Sequence, residues 1–252
     1  MNKKQFILLP FLIFVVFSLP FRLEGAEKQI VFSIPPDGYP PYLIDSNRGI
    51  LMDVLKNIAG KKGYSVIVVT LYPEKREQKM HQNRRVDARA NSKEWTENPD
   101  EFIFTDPIVE HEDVLIYLKG QPIKFGKIDD LSGKTIGTML GYTYPFFEPY
   151  FSDPNLLIGR HDVTSRESML EMLMLKRLDC AIINKLVALW TIKQNKMYQG
   201  MFDFTGTSVG SVGYRLVFIK ADKWRFFVDD FNDELAIMKQ KGELDKIIGN
   251  YR

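Results

Sequence analysis

Gln29-Ile30-Val31-Phe32-Ser33-Ile34 and, further on, Ser65-Val66-Ile67-Val68-Val69-Thr70 bracket the segment that decides the fold. Both are short apolar runs of strand length. Between them Leu51, Val54, Leu55 and Ile58 recur at i, i+3, i+4 and i+7, the spacing of one helix face, and Gly60 and Gly63 then halt the helix. A strand, a helix and a second strand in that order make a βαβ unit, so the chain reads as α/β with a largely parallel sheet.

The pattern continues outward. Pro73 opens a second helix through about Arg84, residues 86–90 form a strand, and residues 114–118 form another after a polar segment. The second half repeats the scheme with a strand over 134–139 and a turn at Gly141-Tyr142-Thr143 placed to start a helix. Thr164-Ser165-Arg166-Glu167 is a capping box ahead of Met169, Leu170, Leu173 and Met174, and residues 180–183 form the next strand. Residues 206–213, with three glycines and two serines, read as a flexible segment. The apolar run 216–219 and a last helix bearing Phe227, Phe231, Leu235 and Met238 close the chain.

The first 25 residues read as an export signal. Lys3 and Lys4 supply a positive start, residues 6–19 are apolar but for Pro10 and Ser18, and small residues follow at Gly25 and Ala26. The run is shorter than the roughly 20 residues that span a bilayer. Cleavage after Gly25 makes Ala26 the new N-terminus and places the protein in the periplasm. It also removes three of the 34 basic residues and one of the 32 acidic ones, which leaves a formally neutral mature chain. Such a balance speaks against a nucleic-acid partner. Cys180 is the one cysteine, so internal disulfides are excluded, and it is expected to be a buried, inert thiol. No cysteine stands at the cleavage site to take a lipid anchor.

Several segments resemble, in order and spacing, the extracytoplasmic solute-binding proteins of polar amino-acid ABC transporters, family 3. They are Tyr39-Pro40-Pro41-Tyr42, Gly49-Ile50-Leu51-Met52-Asp53-Val54, Val86-Asp87-Ala88, Phe104-Thr105-Asp106-Pro107, Leu131-Ser132-Gly133-Lys134-Thr135-Ile136-Gly137, Gly141-Tyr142-Thr143, residues 176–184 and the closing residues 239–248. The resemblance implies the two-lobed periplasmic binding protein fold (type II), its lobes joined by two hinge strands with a ligand cleft between. Carried onto this chain, lobe one is 26–110 and 208–252 and lobe two is 111–207. The glycines of 206–213 would serve as a hinge.

The resemblance also implies a clamp for a zwitterion, an arginine for the ligand carboxylate and an aspartate for its ammonium. Both are missing. Asn98 or Pro99 stands in the arginine slot and Asn184 in the aspartate slot. Asparagine can hydrogen-bond an ammonium but cannot neutralise it, so an amino acid bound in the usual way is disfavoured. Arg76, in a Pro-x-x-Arg arrangement, and Arg89, charged within a strand, are the candidate replacement cations. Arg89 otherwise needs an anion such as Asp53, Asp87 or Glu94. Tyr39 and Tyr42, stiffened by two prolines, offer a flat wall for stacking or cation–π contact. Ser92, with Lys93 and Glu94 beside it, and Trp95 are cleft candidates on the loop after strand 86–90. Tyr142 and Thr143 at a helix start would suit an anion, and Asn184 would face the ligand from lobe two.

The expected function is capture of a small polar solute, amino acid-like or a small organic anion, for an ABC importer. No cofactor, metal or nucleic acid is called for, and a monomer is expected. His81, His111 and His161 share no metal-ligand spacing, lie in polar stretches and read as solvated. No nucleophile elbow, Walker loop or dinucleotide fingerprint occurs. Two other classes use this fold. A dehydratase would need a cleft carboxylate such as Glu94 as general acid. A ligand-sensing receptor would need a membrane partner, and the end of the chain at Arg252 favours the freestanding form.

Overall fold

The structure, a computed structural model, describes residues 28–70 and 85–252. The export signal, the helix expected over 73–84, Arg76 and His81 lie outside the described residues.

The expected βαβ unit is present. β1 (Lys28–Ile34) pairs in parallel with β2 (Tyr64–Thr70) across α1 (Ile50–Lys61), and β3 (Ala88–Asn91) joins the other side of β1 in parallel. Leu51, Val54, Leu55 and Ile58 are all fully buried. β4 (Phe102–Phe104) and β5 (Val109–Leu118) follow, then β6 (Thr135–Met139), the short α2 (Glu148–Phe151), β7 (Gly159–Val163) and α3 (Arg166–Met174). β8 (Cys180–Asn184) runs straight into α4 (Lys185–Gln194), and β9 (Phe202–Ile219) leads to α5 (Asp222–Gln240) and α6 (Glu243–Gly249). The sheet order is β2-β1-β3-β9-β5-β8-β6-β7, with β4 on β9.

One expectation is corrected. The sheet is mixed: β1, β2 and β3 are mutually parallel, as are β6, β7 and β8, but β9 is antiparallel to β3, β4 and β5, and β5 to β8. The reason is that β5 and β9 cross the middle of the molecule in opposite directions. The glycine-rich stretch 206–213 lies within the 18 residues of β9. Its register against β5 is irregular on either side of Val114, where Ser208 Oγ donates to the Asp113 carbonyl (3.1 Å) and Thr205 Oγ1 accepts from the Leu115 amide (3.3 Å).

Apolar packing divides at these crossing strands. One core gathers Ile30, Phe32, the α1 face, Phe218 and the α5 stripe of Phe227, Phe231, Leu235 and Met238. Two further clusters lie beyond, around Met169, Leu170 and Leu173 and around Leu115, Ile136 and Cys180. Burial pushes the Cys180 thiol up to about 12, which keeps it protonated and inert as expected.

Gly137, in the middle of β6, packs closely against Leu178 and Ala181. A Cβ there would stand 2.7 Å from Leu178 Cδ1 and 3.0 Å from Ala181 Cβ. Gly137→Ala should therefore lower the unfolding free energy by about 1–3 kcal/mol through overpacking, read as a reduced urea midpoint at unchanged slope.

Candidate functional site

The loop after β1 is built to present two tyrosines. Tyr39 and Leu43 exchange backbone hydrogen bonds, and the first amides of α1, Ile50 and Leu51, donate to the carbonyls of Pro41 and Tyr42 at 3.0 Å. This close approach needs Gly49, whose φ is +133° and where a Cβ would lie 2.6 Å from the Tyr42 carbonyl oxygen. The rings of Tyr39 and Tyr42 stack with centroids 5.5 Å apart.

His111 completes that wall. Its ring stacks near both tyrosines, its Nε2 is 2.7 Å from the Tyr39 hydroxyl, and Trp95 meets it edge-on at 4.8 Å. Tyr214, from β9, packs against Tyr39, Tyr42 and His111 with its ring at a steep angle to theirs. The expected solvated histidine is thus corrected. His111 is only 5% exposed because β5 starts at Val109, five residues before the strand expected from 114, and turns this side chain inward. His161, on β7, is exposed.

Asn184 joins the wall to the other half of the molecule. Its Oδ1 accepts from the Tyr42 hydroxyl (2.9 Å) and from the Val187 amide (3.1 Å), which caps α4, while its Nδ2 donates to the Glu112 carbonyl (3.1 Å). Its side chain is thus the N-terminal cap of α4.

Ser92 is fully buried and shapes its loop, with Oγ accepting from the Trp95 amide at 3.2 Å. Trp95 remains 43% exposed, and Lys93 and Glu94 are exposed. Tyr142 and Thr143 are exposed too, but the helix expected at Thr143 begins only at Glu148, since Tyr144 turns inward to accept from the Met139 amide at 2.9 Å. Tyr142 sits near enough to Tyr39 to raise the pKa of its hydroxyl, after burial.

Arg89 does not pair with the anions expected of it. Its guanidinium lies over the Phe102 ring at 5.9 Å, and its buried Nε has no hydrogen-bond partner among the described residues. Asp87 takes the Val31 amide and Lys223 instead, and Asp53 takes the Tyr251 hydroxyl.

Two groups absent from the expected site stand at the wall. Arg166, at the start of α3, holds its guanidinium 5.0 Å from the Tyr39 ring centroid. The helix is capped by Ser165, whose Oγ accepts from the Ser168 amide (3.0 Å), one residue beyond the cap expected at Thr164. Asp113 follows His111 on the same face of β5, its Oδ1 3.7 Å from His111 Nδ1.

Burial drives both members of that pair toward neutrality. It pushes the Asp113 carboxyl up to about 7 and the His111 imidazole, also opposed by Arg166, down to about 4. Tyr39, Tyr42 and Tyr144 face them uncharged, Tyr144 being raised to about 12 by burial. Between about pH 4 and 6.5 the folded pair carries one proton, on Asp113, and the unfolded pair also carries one, on histidine. The two dependences cancel there. Asp113→Asn should expose the histidine alone, so that stability falls as pH drops from about 6.5 through 4, by up to about 1.4 kcal/mol per unit. His111→Gln should do the reverse, with stability falling as pH rises from about 4 through 7. Urea unfolding of both variants across this range checks the opposite signs.

Among the described residues, no group of three or more His, Cys, Asp or Glu side chains could hold a metal ion, and no helix is long and apolar enough to cross a membrane. The fold is shared with solved solute-binding structures. The GluR0 ligand-binding core from Nostoc punctiforme, in complex with L-glutamate, is 18% identical with a TM-score of 0.65, covering 88% of this chain and 98% of that one. A mutant of ArgBP from T. maritima is 19% identical, with a TM-score of 0.62 and coverage of 88% and 94%. The amino acid ABC transporter substrate-binding protein AbpA from Streptococcus pneumoniae, bound to L-arginine, is 18% identical, with a TM-score of 0.63 and coverage of 89% and 94%. No curated protein matches the sequence. The family model for bacterial extracellular solute-binding proteins, family 3, matches residues 31–252, nearly all of the chain outside the amino-terminal segment, and the protein belongs to that family.

Proposed function

We propose that this protein captures a small polar solute, amino acid-like or a small organic anion, in the periplasm and delivers it to an ABC importer without chemistry of its own. The lobes are 26–110 with 208–252, and 111–207, after removal of residues 1–25. The observation that carries the reading is the wall of Tyr39, Tyr42 and His111, set where the halves meet and tied across by Tyr42 and Asn184. Stiff rings at such a junction can be covered by a ligand at small entropic cost. The L-arginine bound to AbpA, and the polar groups around this wall, support a small polar ligand.

In this reading the halves close by rotating about the crossing strands β5 and β9. A groove of about 890 Å³ beside these strands is lined by Val109 and Glu112 of β5, Lys185 and Leu189 of α4 and Leu244 and Ile248 of α6. A ligand held by both halves favours the closed form by its differential affinity for it.

Scattering and thermal melts of the mature protein against amino acids and small organic acids test this. A bound solute should shrink the radius of gyration and, at a hundred times its Kd, add about 2.7 kcal/mol of stability. Binding without contraction would contradict closure, and turnover of the solute above the buffer rate would contradict the non-enzyme reading.

A further inference from the structure

We propose that Tyr251 is a positioning residue for the aromatic wall: its hydroxyl caps α1 at Gly49, and through that turn it holds Tyr42 against Asn184. The consequence for solute capture rests on the reading above, whereas the positioning itself is measured without any solute.

The need for such a residue begins in the backbone. Gly49 is the N-terminal cap position of α1, and its positive φ and the close approach of the Tyr42 carbonyl leave no room for a side chain there. The helix therefore starts without the Ser, Thr, Asp or Asn that would ordinarily cap it. Its first donors turn elsewhere: Ile50 and Leu51 to the carbonyls of Pro41 and Tyr42, and the Gly49 amide to the Tyr251 hydroxyl at 2.9 Å. The same hydroxyl donates to Asp53 Oδ2 at 2.7 Å. In a capping box an acidic side chain near the helix start takes the cap amide itself. Here a phenol 202 residues away in the chain stands between the amide and the carboxylate. Both of its bonds converge on the turn that meets the Tyr42 carbonyl, so the hydroxyl fixes where the Tyr42 backbone lies.

Tyr251 also reaches the helix that Asn184 caps. Its ring packs against Trp190 of α4 with centroids 6.1 Å apart, and the carbonyl of the neighbouring Arg252 accepts from Lys193 Nζ at 2.7 Å. α4 straddles two cores, with Val187 buried among the residues of β1 and α1 and Ala188 among those of α3. Tyr42 holds the start of this helix and Tyr251 a later turn, so a tilt of α4 breaks one contact or the other. The Val187 amide reports on the arrangement. It lies in the first turn of α4, where amides have no intrahelical acceptor, and it donates to Asn184 Oδ1 at 3.1 Å. The Tyr42 hydroxyl donates to that same oxygen at 2.9 Å.

Amide hydrogen exchange without added solute tests this in Tyr251→Phe, Tyr42→Phe and the double variant, with Leu235 of α5 as the reference for global opening. Tyr251→Phe removes the hydroxyl and keeps the ring on Trp190. Relative to Leu235 it should speed exchange at Gly49 and at Val187 by at least about threefold each, the scale of one lost hydrogen bond. In the Tyr42→Phe background the same change should still speed Gly49 but leave Val187 where Tyr42→Phe alone puts it, because the path through Tyr42 is already cut. Asp53→Ala, which takes the acceptor from the same hydroxyl, is a second variant and should speed both amides in the wild-type background. Val187 unchanged in Tyr251→Phe, or speeded equally in both backgrounds, overturns the proposal and leaves Tyr251 as a cap of α1 alone. A solute screen that finds no ligand would overturn the solute-binding reading and leave the exchange result standing.

Discussion

The hydrogen bond from the Tyr42 hydroxyl to Asn184 Oδ1 is the point on which the site depends. Both residues are almost wholly buried, and each is locked by its own element. Tyr42 is fixed by the carbonyls that cap α1, and Asn184 by the cap it provides to α4. A buried neutral hydrogen bond contributes only about 1 kcal/mol net, but leaving either partner unpaired costs more. The bond therefore ties the loop after β1 to the start of α4.

With that tie in place, the crossing strands become the floor of the site. β5 carries His111 and Asp113 on one face, and β9 brings Tyr214 beneath the wall. Position along β5 separates their duties: His111 belongs to the aromatic wall, while Asp113, two residues on, lies opposite Gly210 where the strands lose register. Arg166 arrives from the other side on α3. In this arrangement two charged side chains stand beside the wall, one on β5 and one at the start of α3.

Much of the fold was legible from periodicity. The faces of α1 and α5 and the strands β1 and β8 repeat at 3.6 or run apolar, and burial dictates both patterns, while β2 runs apolar though only partly buried. The first half of β5 was hidden because Glu110-His111-Glu112-Asp113 looks like a loop. Only pairing with β9 makes it a strand, and that pairing is long-range. For the same reason His111 read as solvated. Tyr39 and Tyr42 were visible as ring residues between prolines, whereas Arg166 carried no local signal beyond following a helix cap. Its place over Tyr39 is a product of tertiary packing alone.

The most direct measurement is a double-mutant cycle on the junction, with Tyr42→Phe, Asn184→Ala and the double variant compared by urea unfolding. Loss of the α4 cap enters both Asn184 arms and cancels, so the cycle isolates the bond itself. The account predicts a coupling of about 1 kcal/mol or more. A coupling indistinguishable from zero would mean that the two halves are not tied there, and the site built on that junction would fall with it.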